Sequence, residues 1–353
     1  MKKPVRLLAG LAAVVVVPVL VLGPAPAQAA PETMTMAIWS NYLPEDVIHD
    51  FEKAAGCKVE IPWYYGGNDE LLAKLQGKDT GFDVVVPSDV ILPALIGQGL
   101  LEPLDRAALA NASHIDPELA KRQADPDGKW SVPYTWGTVG VAWRTDKVKV
   151  APDSWNVFAD PKLVDGNAFL LEDARDVVAA ALLVRGHDVN SVEAKDLADA
   201  KETLLTWKKG LKGFTGETKN TLLQGEAWLI QGYNGDVAQA MHAQPGKYGF
   251  AVPKEGGILW IDNLVIPKGA PHKALATKFI DFVLDPKIAA RISNGIRYAV
   301  ANKDVGPLLD PVVRDDPVIY APADVRKRLH QYKELGADLK KISDLWTEVR
   351  AGG

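Results

Sequence analysis

The segment Met36-Ala37-Ile38-Trp39-Ser40-Asn41-Tyr42 joins a short apolar run to two aromatic residues that flank two small polar ones. Ala37-Ile38 is typical of the end of a buried strand, and Trp39 and Tyr42 project beyond that end. Ligands of open α/β sheets bind at the carboxyl ends of strands, so we expect the aromatic faces of Trp39 and Tyr42 to suit a flat or cationic ligand. Taken singly, each of these aromatic residues is more often an ordinary core residue.

A second stretch, Trp260-Ile261-Asp262, places an aromatic residue and a carboxylate at another predicted strand end. Aromatic ring faces attract cations, and a carboxylate supplies the counter-charge. The two stretches together therefore predict a site for an organic cation.

Short β-branched runs alternate with amphipathic stretches along the chain, and this order predicts an α/β protein with βαβ units. Residues 44–55, 273–284 and 286–296 are predicted to be helices, and Asn68 is predicted to cap another. Residues 82–88 are predicted to be a strand that ends in a polar loop. The passage from Ser131 to Trp143 is read as a strand crossing between two lobes, with a plain β-hairpin as the alternative. Residues 321–350 are predicted to be mostly helical.

The composition is that of a globular protein: 353 residues, 47% hydrophobic and 24% charged, a length that suggests two domains. The net charge of -5 and a pI near 5.8 provide no basic surface for phosphates, which argues against nucleic acid as a partner. The single cysteine, Cys57, cannot form an internal disulfide and is predicted to be a small buried hydrophobe rather than a nucleophile.

The N-terminus has the three parts of a secretory signal. Lys2, Lys3 and Arg6 provide positive charge, residues 7–22 are apolar, and Ala27-Gln28-Ala29 fits a cleavage site. Residues 1–29 are therefore predicted to be a cleaved signal peptide, with an uncleaved membrane anchor as the alternative. The mature protein is expected to be exported to the periplasm.

Residues 172–176 place three carboxylates, Glu172, Asp173 and Asp176, at the start of a predicted helix. Acidic residues in a first turn are explained by the helix dipole, and for Glu172 this explanation suffices. Asp173 and Asp176 are three residues apart on one face, so both could point at one cation. The alternative use of this pair as acid and base in glycoside cleavage is weaker, because such pairs usually come from separate elements.

Sequence motifs for catalysis or for cofactors are missing. The chain contains no nucleophile elbow, phosphate-binding loop, dinucleotide fingerprint or zinc-protease motif. Its six histidines are scattered without ligand spacing. We therefore predict no catalytic residue, cofactor or metal site.

Six motifs, in this order, resemble those of the periplasmic spermidine/putrescine-binding proteins of ABC importers. They are Trp39-Ser40-Asn41-Tyr42, Phe82-Asp83-Val84-Val85-Val86-Pro87-Ser88, Pro133-Tyr134-Thr135-Trp136-Gly137, Glu172-Asp173-Ala174-Arg175-Asp176, Tyr233-Asn234-Gly235 and Pro253-Lys254-Glu255-Gly256-Gly257-Ile258-Leu259-Trp260-Ile261-Asp262. The resemblance implies the two-lobed type II periplasmic binding protein fold with a ligand cleft at a hinge. Lobe 1 would comprise residues 30–137 and 263–353, the latter with the C-terminal helices, and lobe 2 residues 138–262.

The resemblance also implies roles for individual residues. The ligand-binding positions would be Trp39, Ser40, Asn41, Tyr42, Ser88, Asp173, Asp176, Tyr233, Trp260, Asp262 and Tyr332. Tyr233 stands where relatives commonly have Trp, and either Gln331 or Tyr332 matches a family glutamine. Asn41 stands where relatives commonly have an acid, and Val90 stands where an aromatic residue is frequent.

These features together predict a monomeric binding protein that captures a polyamine by hinge closure and delivers it to a membrane ABC permease. The same fold retuned to a different organic cation or a zwitterion is the first alternative. A secreted glycoside hydrolase is a remote second.

Overall fold

A computed structural model describes residues 1, 31–77, 80–121 and 124–352, which include twelve strands and fourteen α-helices. The strands are β1 Thr33–Ile38, β2 Lys58–Tyr64, β3 Val84–Val85, β4 Leu101–Glu102, β5 Ser131–Arg144, β6 Ala168–Leu171, β7 Leu211–Thr215, β8 Leu229–Tyr233, β9 Tyr248–Ala251, β10 Gly257–Pro267, β11 Ala299–Val300 and β12 Leu329–His330. The helices are α1 Glu45–Ala55, α2 Asn68–Leu75, α3 Leu92–Gly97, α4 Pro117–Ala120, α5 Pro161–Val164, α6 Ala174–Val184, α7 Ala194–Lys208, α8 Thr218–Leu223, α9 Asn234–Ala243, α10 Lys273–Leu284, α11 Pro286–Ile296, α12 Pro311–Arg314, α13 Ala323–Arg326 and α14 Leu339–Ala351.

The strands form one mixed sheet in the order β2-β1-β3-β10-β5-β8-β6-β7. Four short strands lie off this path: β4 and β12 pair with β10, and β9 and β11 pair with β5. The pairs β1 with β2 and β6 with β7 are parallel, whereas β5 and β10 are antiparallel to each other over most of their length. The α/β fold predicted from the alternating pattern is therefore present.

Two hydrophobic cores flank the long central pair of strands. The first core contains Val132 and Tyr134 from β5 and Leu264 from β10. The second core contains Val139 from β5 and Ile258 from β10. Both strands thus run from one core to the other, which confirms the predicted crossing strand and rules out the hairpin alternative for Ser131 to Trp143.

A β-bulge interrupts the pairing of β5 with β10. Asp262 lies opposite Thr135, and the next residue, Asn263, lies opposite Pro133, so Tyr134 is the extra residue on β5. An extra residue locally breaks the alternation of side chains between the two faces of a sheet. The bulge lies next to the predicted ligand residues.

Helices pack where their apolar positions repeat at helical spacing. In α1, Val47 and Phe51 are buried, and the helix ends at Gly56, whose φ of 67° suits a left-handed C-cap. Asp285 is the N-cap of α11, because its side chain accepts hydrogen bonds from the backbone N–H groups of Lys287 and Ile288. The predicted helices at 273–284 and 286–296 are confirmed at these bounds.

Two local predictions are wrong. Asn68 is the first residue of α2 rather than its cap, and its side chain accepts a hydrogen bond from the Ser88 N–H instead. The strand predicted over 82–88 is reduced to Val84–Val85. The prediction that residues 321–350 are mostly helical is confirmed by α13, a 3-10 helix at Gly336–Asp338 and α14, although Leu329–His330 is a strand that pairs with β10.

Helix α14 packs on the second core through Ile342, Leu345, Trp346 and Val349. Residues 32–353 form one compact unit, and the proposed lobe boundaries stay a prediction. The signal peptide predicted for residues 1–29 lies, apart from Met1, outside the described residues. Among the helices that are described, none has the length and apolar character needed to cross a membrane.

Candidate functional site

Asp262, on β10, is a buried carboxylate with both oxygens hydrogen-bonded to hydroxyl groups. Ser88 Oγ donates to Oδ1 at 2.5 Å, and the Tyr42 hydroxyl donates to Oδ2 at 2.6 Å. Burial raises the pKa of Asp262 to about 6, although both hydrogen bonds favour the ionised form. When ionised, this side chain is a buried negative charge whose hydrogen-bond donors are neutral hydroxyls.

Tyr42 joins the first core to the site. Its ring is buried and meets the rings of Tyr134 and Tyr298 edge-on, with centroid distances of 6.0 and 5.4 Å. Its hydroxyl lies 2.8 Å from Thr135 Oγ1 as well as bonding to Asp262. The core role considered for this residue is therefore present in its ring, and its ligand-facing role stays a prediction.

The three residues before Tyr42 lie closer to solvent. Trp39 is partly buried, packs edge-on against Tyr65 at 4.6 Å, and donates its indole N–H to the Val86 carbonyl. Ser40 and Asn41 are exposed. Asn41 has a φ of 56°, a left-handed conformation that asparagine and aspartate tolerate better than most residues.

A row of four aromatic rings extends from Tyr42. The Tyr42 ring contacts Tyr298, Tyr298 contacts Trp260 at 5.3 Å, and Trp260 contacts Tyr233 at 6.3 Å. The last two contacts are edge-on, with interplanar angles of 67° and 86°. These edge-on contacts have the geometry that aromatic pairs favour.

Two glycines allow this row to sit close to the backbone. A Cβ atom on Gly137, in β5, would lie 2.3 Å from the Trp260 ring and 2.3 Å from Asn234 Oδ1. A Cβ atom on Gly235 would lie 2.3 Å from the Tyr298 ring. The ring positions therefore depend on the absence of side chains at these two positions.

Asp176, in the first turn of α6, lies at the other end of the row. Its Oδ2 accepts the Tyr233 hydroxyl at 2.9 Å, and its Oδ1 accepts the Tyr332 hydroxyl at 2.7 Å. Burial and the nearby Asp173 carboxylate raise the pKa of Asp176 to about 7. Asp176 and Asp262 thus have the same chemistry: a buried carboxylate that accepts two hydroxyl groups.

Asp173 is the N-cap of α6. Its Oδ1 accepts the backbone N–H groups of Arg175 and Asp176 at 2.9 and 3.2 Å. The N-cap of α6 is thus Asp173, and Glu172 precedes it. The Asp173 side chain remains exposed, and its negative charge is felt by Asp176.

Three residues that sequence reasoning did not select belong to the same arrangement. Tyr298 is in the aromatic row and donates its hydroxyl to Asp236 at 3.0 Å. Burial raises the pKa of Asp236 to about 6. The guanidinium carbon of Arg175 lies 4.2 Å from the Tyr332 ring centroid. The only signal for Asp236 was its position shortly after Tyr233 at a predicted strand end.

A cavity of about 550 Å³ adjoins Tyr332 and is lined by Asp89, Asp188 and His330 among others. A larger cavity, of about 730 Å³, lies beside α10 and α11 and contains none of the predicted site residues. Within the described part of the chain, no group of three His, Cys, Asp or Glu side chains could hold a metal ion.

The geometry as a whole is two buried carboxylates, each accepting two hydroxyl hydrogen bonds, connected by a row of aromatic rings. Neutral hydroxyls stabilise a buried carboxylate less well than a cation does, as the raised pKa values of Asp176 and Asp262 show. The arrangement therefore has two carboxylates to which a cation would be a better partner, with aromatic rings between them.

The chain is similar to known proteins over most of its length. A family described as bacterial extracellular solute-binding protein matches residues 46–321. The chain is 36% identical to the Putrescine-binding periplasmic protein PotF of Escherichia coli (strain K12), over 91% of this chain and 92% of that protein. It is 31% identical to the Spermidine/putrescine-binding periplasmic protein of the same organism, over 89% and 90% of the two chains.

The fold is similar to that of a solved structure titled Putative spermidine/putrescine ABC transporter from Listeria monocytogenes, with a TM-score of 0.84. That comparison covers 90% of this chain and 99% of the other, at 30% identity. The two-lobed type II periplasmic binding protein fold expected from the sequence is thereby confirmed. The chain belongs to the family of bacterial extracellular solute-binding proteins.

Proposed function

We propose that this protein captures a polyamine, spermidine or putrescine, and delivers it to a membrane ABC permease. The observation that carries the proposal is the row of aromatic rings between Asp262 and Asp176. A polyamine is an alkyl chain with two or more ammonium groups, so it needs apolar surface for its methylenes and carboxylates for its charges. The names of the relatives support the same ligand class.

An ammonium group would form an ion pair with each ionised carboxylate, an attraction that the neutral hydroxyl donors cannot supply. Each ammonium over an aromatic ring would add about 0.5 to 2 kcal/mol. The residues proposed to contact the ligand are Trp39, Ser40, Asn41, Tyr42, Ser88, Asp173, Asp176, Tyr233, Trp260, Asp262 and Tyr332.

Capture would proceed by closure of the two lobes about the crossing strands β5 and β10. The proposed lobes comprise residues 30–137 with 263–353, and residues 138–262. Asp176 lies within the second proposed lobe, whereas Asp262 is its last residue and is hydrogen-bonded to Tyr42 of the first. A ligand that pairs with Asp176 and also contacts Tyr42 or Ser88 of the first proposed lobe would therefore hold the lobes together.

Calorimetric titration of the unfolded, ligand-stripped and refolded protein tests the proposal. Putrescine and spermidine should each release or absorb heat with a 1:1 stoichiometry and raise the melting temperature. Butylamine, with one ammonium, and 1,4-butanediol, with none, are the matched controls and should bind at least about a hundredfold more weakly, because a buried carboxylate would lack its charge partner. Absence of heat and of a thermal shift with both polyamines would refute the proposal.

A second candidate ligand is a different organic cation or a zwitterion. Asn41 favours it, because an exposed amide stands where relatives commonly carry an acid, and Val90 stands where an aromatic residue is frequent. Native mass spectrometry of the protein as purified distinguishes the candidates by the mass of the ligand that remains bound.

We propose a binding role rather than an enzymatic one, as the names of the relatives suggest. Asp173 and Asp176 lie in one helical turn, and Asp176 accepts two tyrosine hydroxyls, whereas glycosidase carboxyl groups face each other across a scissile bond. Turnover of a glycoside panel, abolished by Asp173→Asn, would overturn this.

The predicted signal peptide supports a periplasmic location and cleavage after Ala29, which the mass of the exported protein would test. We also propose that the protein is a monomer without affinity for nucleic acid, and light scattering coupled to gel filtration measures the former.

A further inference from the structure

Arg175 is a buried cation inside a site proposed to bind cations. It is the second residue of α6, only 7% exposed, and lies between Asp173 and Asp176 in the sequence. Its guanidinium carbon lies 4.2 Å from the centroid of the Tyr332 ring. Burying a guanidinium costs free energy, and the positive charge of Arg175 would repel an ammonium group nearby. The presence of Arg175 in this site therefore needs a physical explanation.

The hydrogen bonds of Arg175 fix the backbone around Tyr332. Both Nη atoms donate to the Lys333 carbonyl at 3.2 Å, and Nη2 also donates to Asn190 Oδ1 at 2.9 Å. Asn190 in turn accepts the Lys333 N–H at 2.8 Å and donates to the Gln331 carbonyl at 3.1 Å. Arg175 and Asn190 therefore hold the residues on both sides of Tyr332.

The hydrogen bonds of the Arg175 guanidinium go to the Lys333 carbonyl and the Asn190 amide oxygen. Its positive charge therefore acts on the neighbouring carboxylates without a direct hydrogen bond to them. Among the described residues, Arg175 Nε is buried without a hydrogen-bond partner. The acidic end of the cleft, defined here as Asp173, Arg175 and Asp176, has a formal charge of -1 when both carboxylates are ionised. Without Arg175 it would be -2.

We propose that Arg175 is a positioning and specificity-determining residue: it fixes Tyr332 against Asp176 and sets the acidic end to accept a single ammonium group. This inference rests on the proposed polyamine function and adds to it the number of ligand charges that one end of the cleft accepts. A second unpaired carboxylate charge would favour a ligand with more ammonium groups at this end of the cleft. Because Arg175 neutralises one of the two charges, it favours a ligand with a single ammonium group there.

The groups that face Asp176 come from three elements. Asp173 and Arg175 lie on α6, Tyr233 on β8 and Tyr332 on the segment after β12. The negative charge of Asp69, on α2, contributes to raising the pKa of Asp173. Among these groups Arg175 is the cation, and it favours the ionised form of Asp176. Removal of Arg175 should therefore raise the pKa of Asp176, so that on acidification a cationic ligand is released at a higher pH.

The test compares Arg175→Gln and Arg175→Lys with Arg185→Gln. Arg185 follows the same helix and bonds Thr203 and Glu202, which makes it a matched control. Putrescine and spermidine are titrated into each variant between pH 5.5 and 9. In Arg175→Gln the midpoint pH of binding should rise by about one unit, and at pH 9 the ratio of spermidine to putrescine affinity should rise about fivefold. Arg175→Lys should keep the wild-type midpoint, and Arg185→Gln should match the wild type throughout.

A purely structural role would weaken both amines equally at every pH and leave the midpoint unchanged, which would overturn the inference. The charge effect is also measured without ligand, by a carboxyl NMR titration of Asp176 in the stripped protein. An unchanged Asp176 pKa in Arg175→Gln overturns the inference whatever the amine titrations give, whereas a wild-type protein that binds neither amine refutes the proposed function instead. If Arg175→Gln does not fold, Arg175→Met, which fills similar volume with apolar atoms, takes its place.

Discussion

Replacing Asp262 with Asn should weaken ligand binding and at the same time stabilise the ligand-free protein. Asn has nearly the same shape, and the Tyr42 hydroxyl can donate to Thr135 Oγ1 at 2.8 Å when it no longer donates to the carboxylate. The fold should therefore persist. An ammonium that pairs with a buried carboxylate loses about 2 to 4 kcal/mol when that carboxylate becomes neutral, so affinity should fall roughly 30- to 1000-fold.

The stability effect follows from the pKa of Asp262. Burial raises it from 3.8 to about 6, so at pH 7.5 folding must keep an ionised group that the interior disfavours. That shift corresponds to about 3 kcal/mol, and the Asp262→Asn variant recovers part of it, so the free energy of unfolding should rise by about 1 to 3 kcal/mol. Because the folded pKa exceeds the unfolded one, this carboxylate makes the ligand-free wild type lose stability as pH rises from about 4 to 6, and the variant should lack that contribution.

Urea denaturation of stripped protein at pH 4 and 7.5, together with calorimetric titration, measures both effects. Asp83→Asn is the control, because Asp83 is fully buried but accepts backbone N–H groups of Thr35 and His272. In the Asp83→Asn variant the side-chain NH2 group would face one of these two backbone N–H donors. This should lower the free energy of unfolding by about 1 to 3 kcal/mol without changing ligand affinity. An Asp262→Asn variant that binds within threefold of the wild type, or that is less stable than it at pH 7.5, would refute the reasoning.

Three further predictions follow from the same geometry. Because the pKa of Asp176 is about 7 and a cation needs the ionised form, affinity should be about tenfold lower at pH 6 than at pH 8; a flat profile by calorimetry would contradict this. Gly137→Ala should displace the Trp260 ring and reduce affinity at least about tenfold, whereas Gly306→Ala, whose added Cβ would meet no atom within 4 Å, should leave it unchanged. Asn41→Asp, at a φ of 56° that aspartate tolerates, should raise amine affinity about three- to tenfold in low salt; an unchanged dissociation constant would exclude this position from the site.

Much of the fold could be predicted because local signals agreed with tertiary structure. Asp285 followed by Pro286 marks the boundary between α10 and α11, and the apolar spacing on both sides is helical. The Gly-punctuated passage from Ser131 to Trp143 was correctly read as a crossing strand. Within the mostly helical residues 321–350, the strand Leu329–His330 was not predicted, because it is extended only through its pairing with β10, and no local propensity encodes that partner.

The site was predictable only in part, for a related reason. Asp262 and Asp176 were chosen from their motifs, and the structure surrounds each with hydroxyl donors. Tyr298 follows α11 in a stretch without a motif, and its place in the aromatic row depends on packing against Gly235, which is distant in the sequence. Arg175 looks like a solvated charge on a helix, since nothing local shows that the C-terminal segment covers it.

The bulge at Tyr134 has a consequence for anyone who would move this site into another protein. In a regular strand Tyr134 and Thr135 would point to opposite faces, yet the Tyr134 hydroxyl donates to the Tyr42 carbonyl and Thr135 Oγ1 lies beside the Tyr42 hydroxyl. One inserted residue thus changes the alternation of side chains along the strand, so that two consecutive side chains contact the same tyrosine, Tyr42. A transplanted copy of the site would have to carry this insertion with it, because a scaffold with an unbroken strand would turn one of the two away.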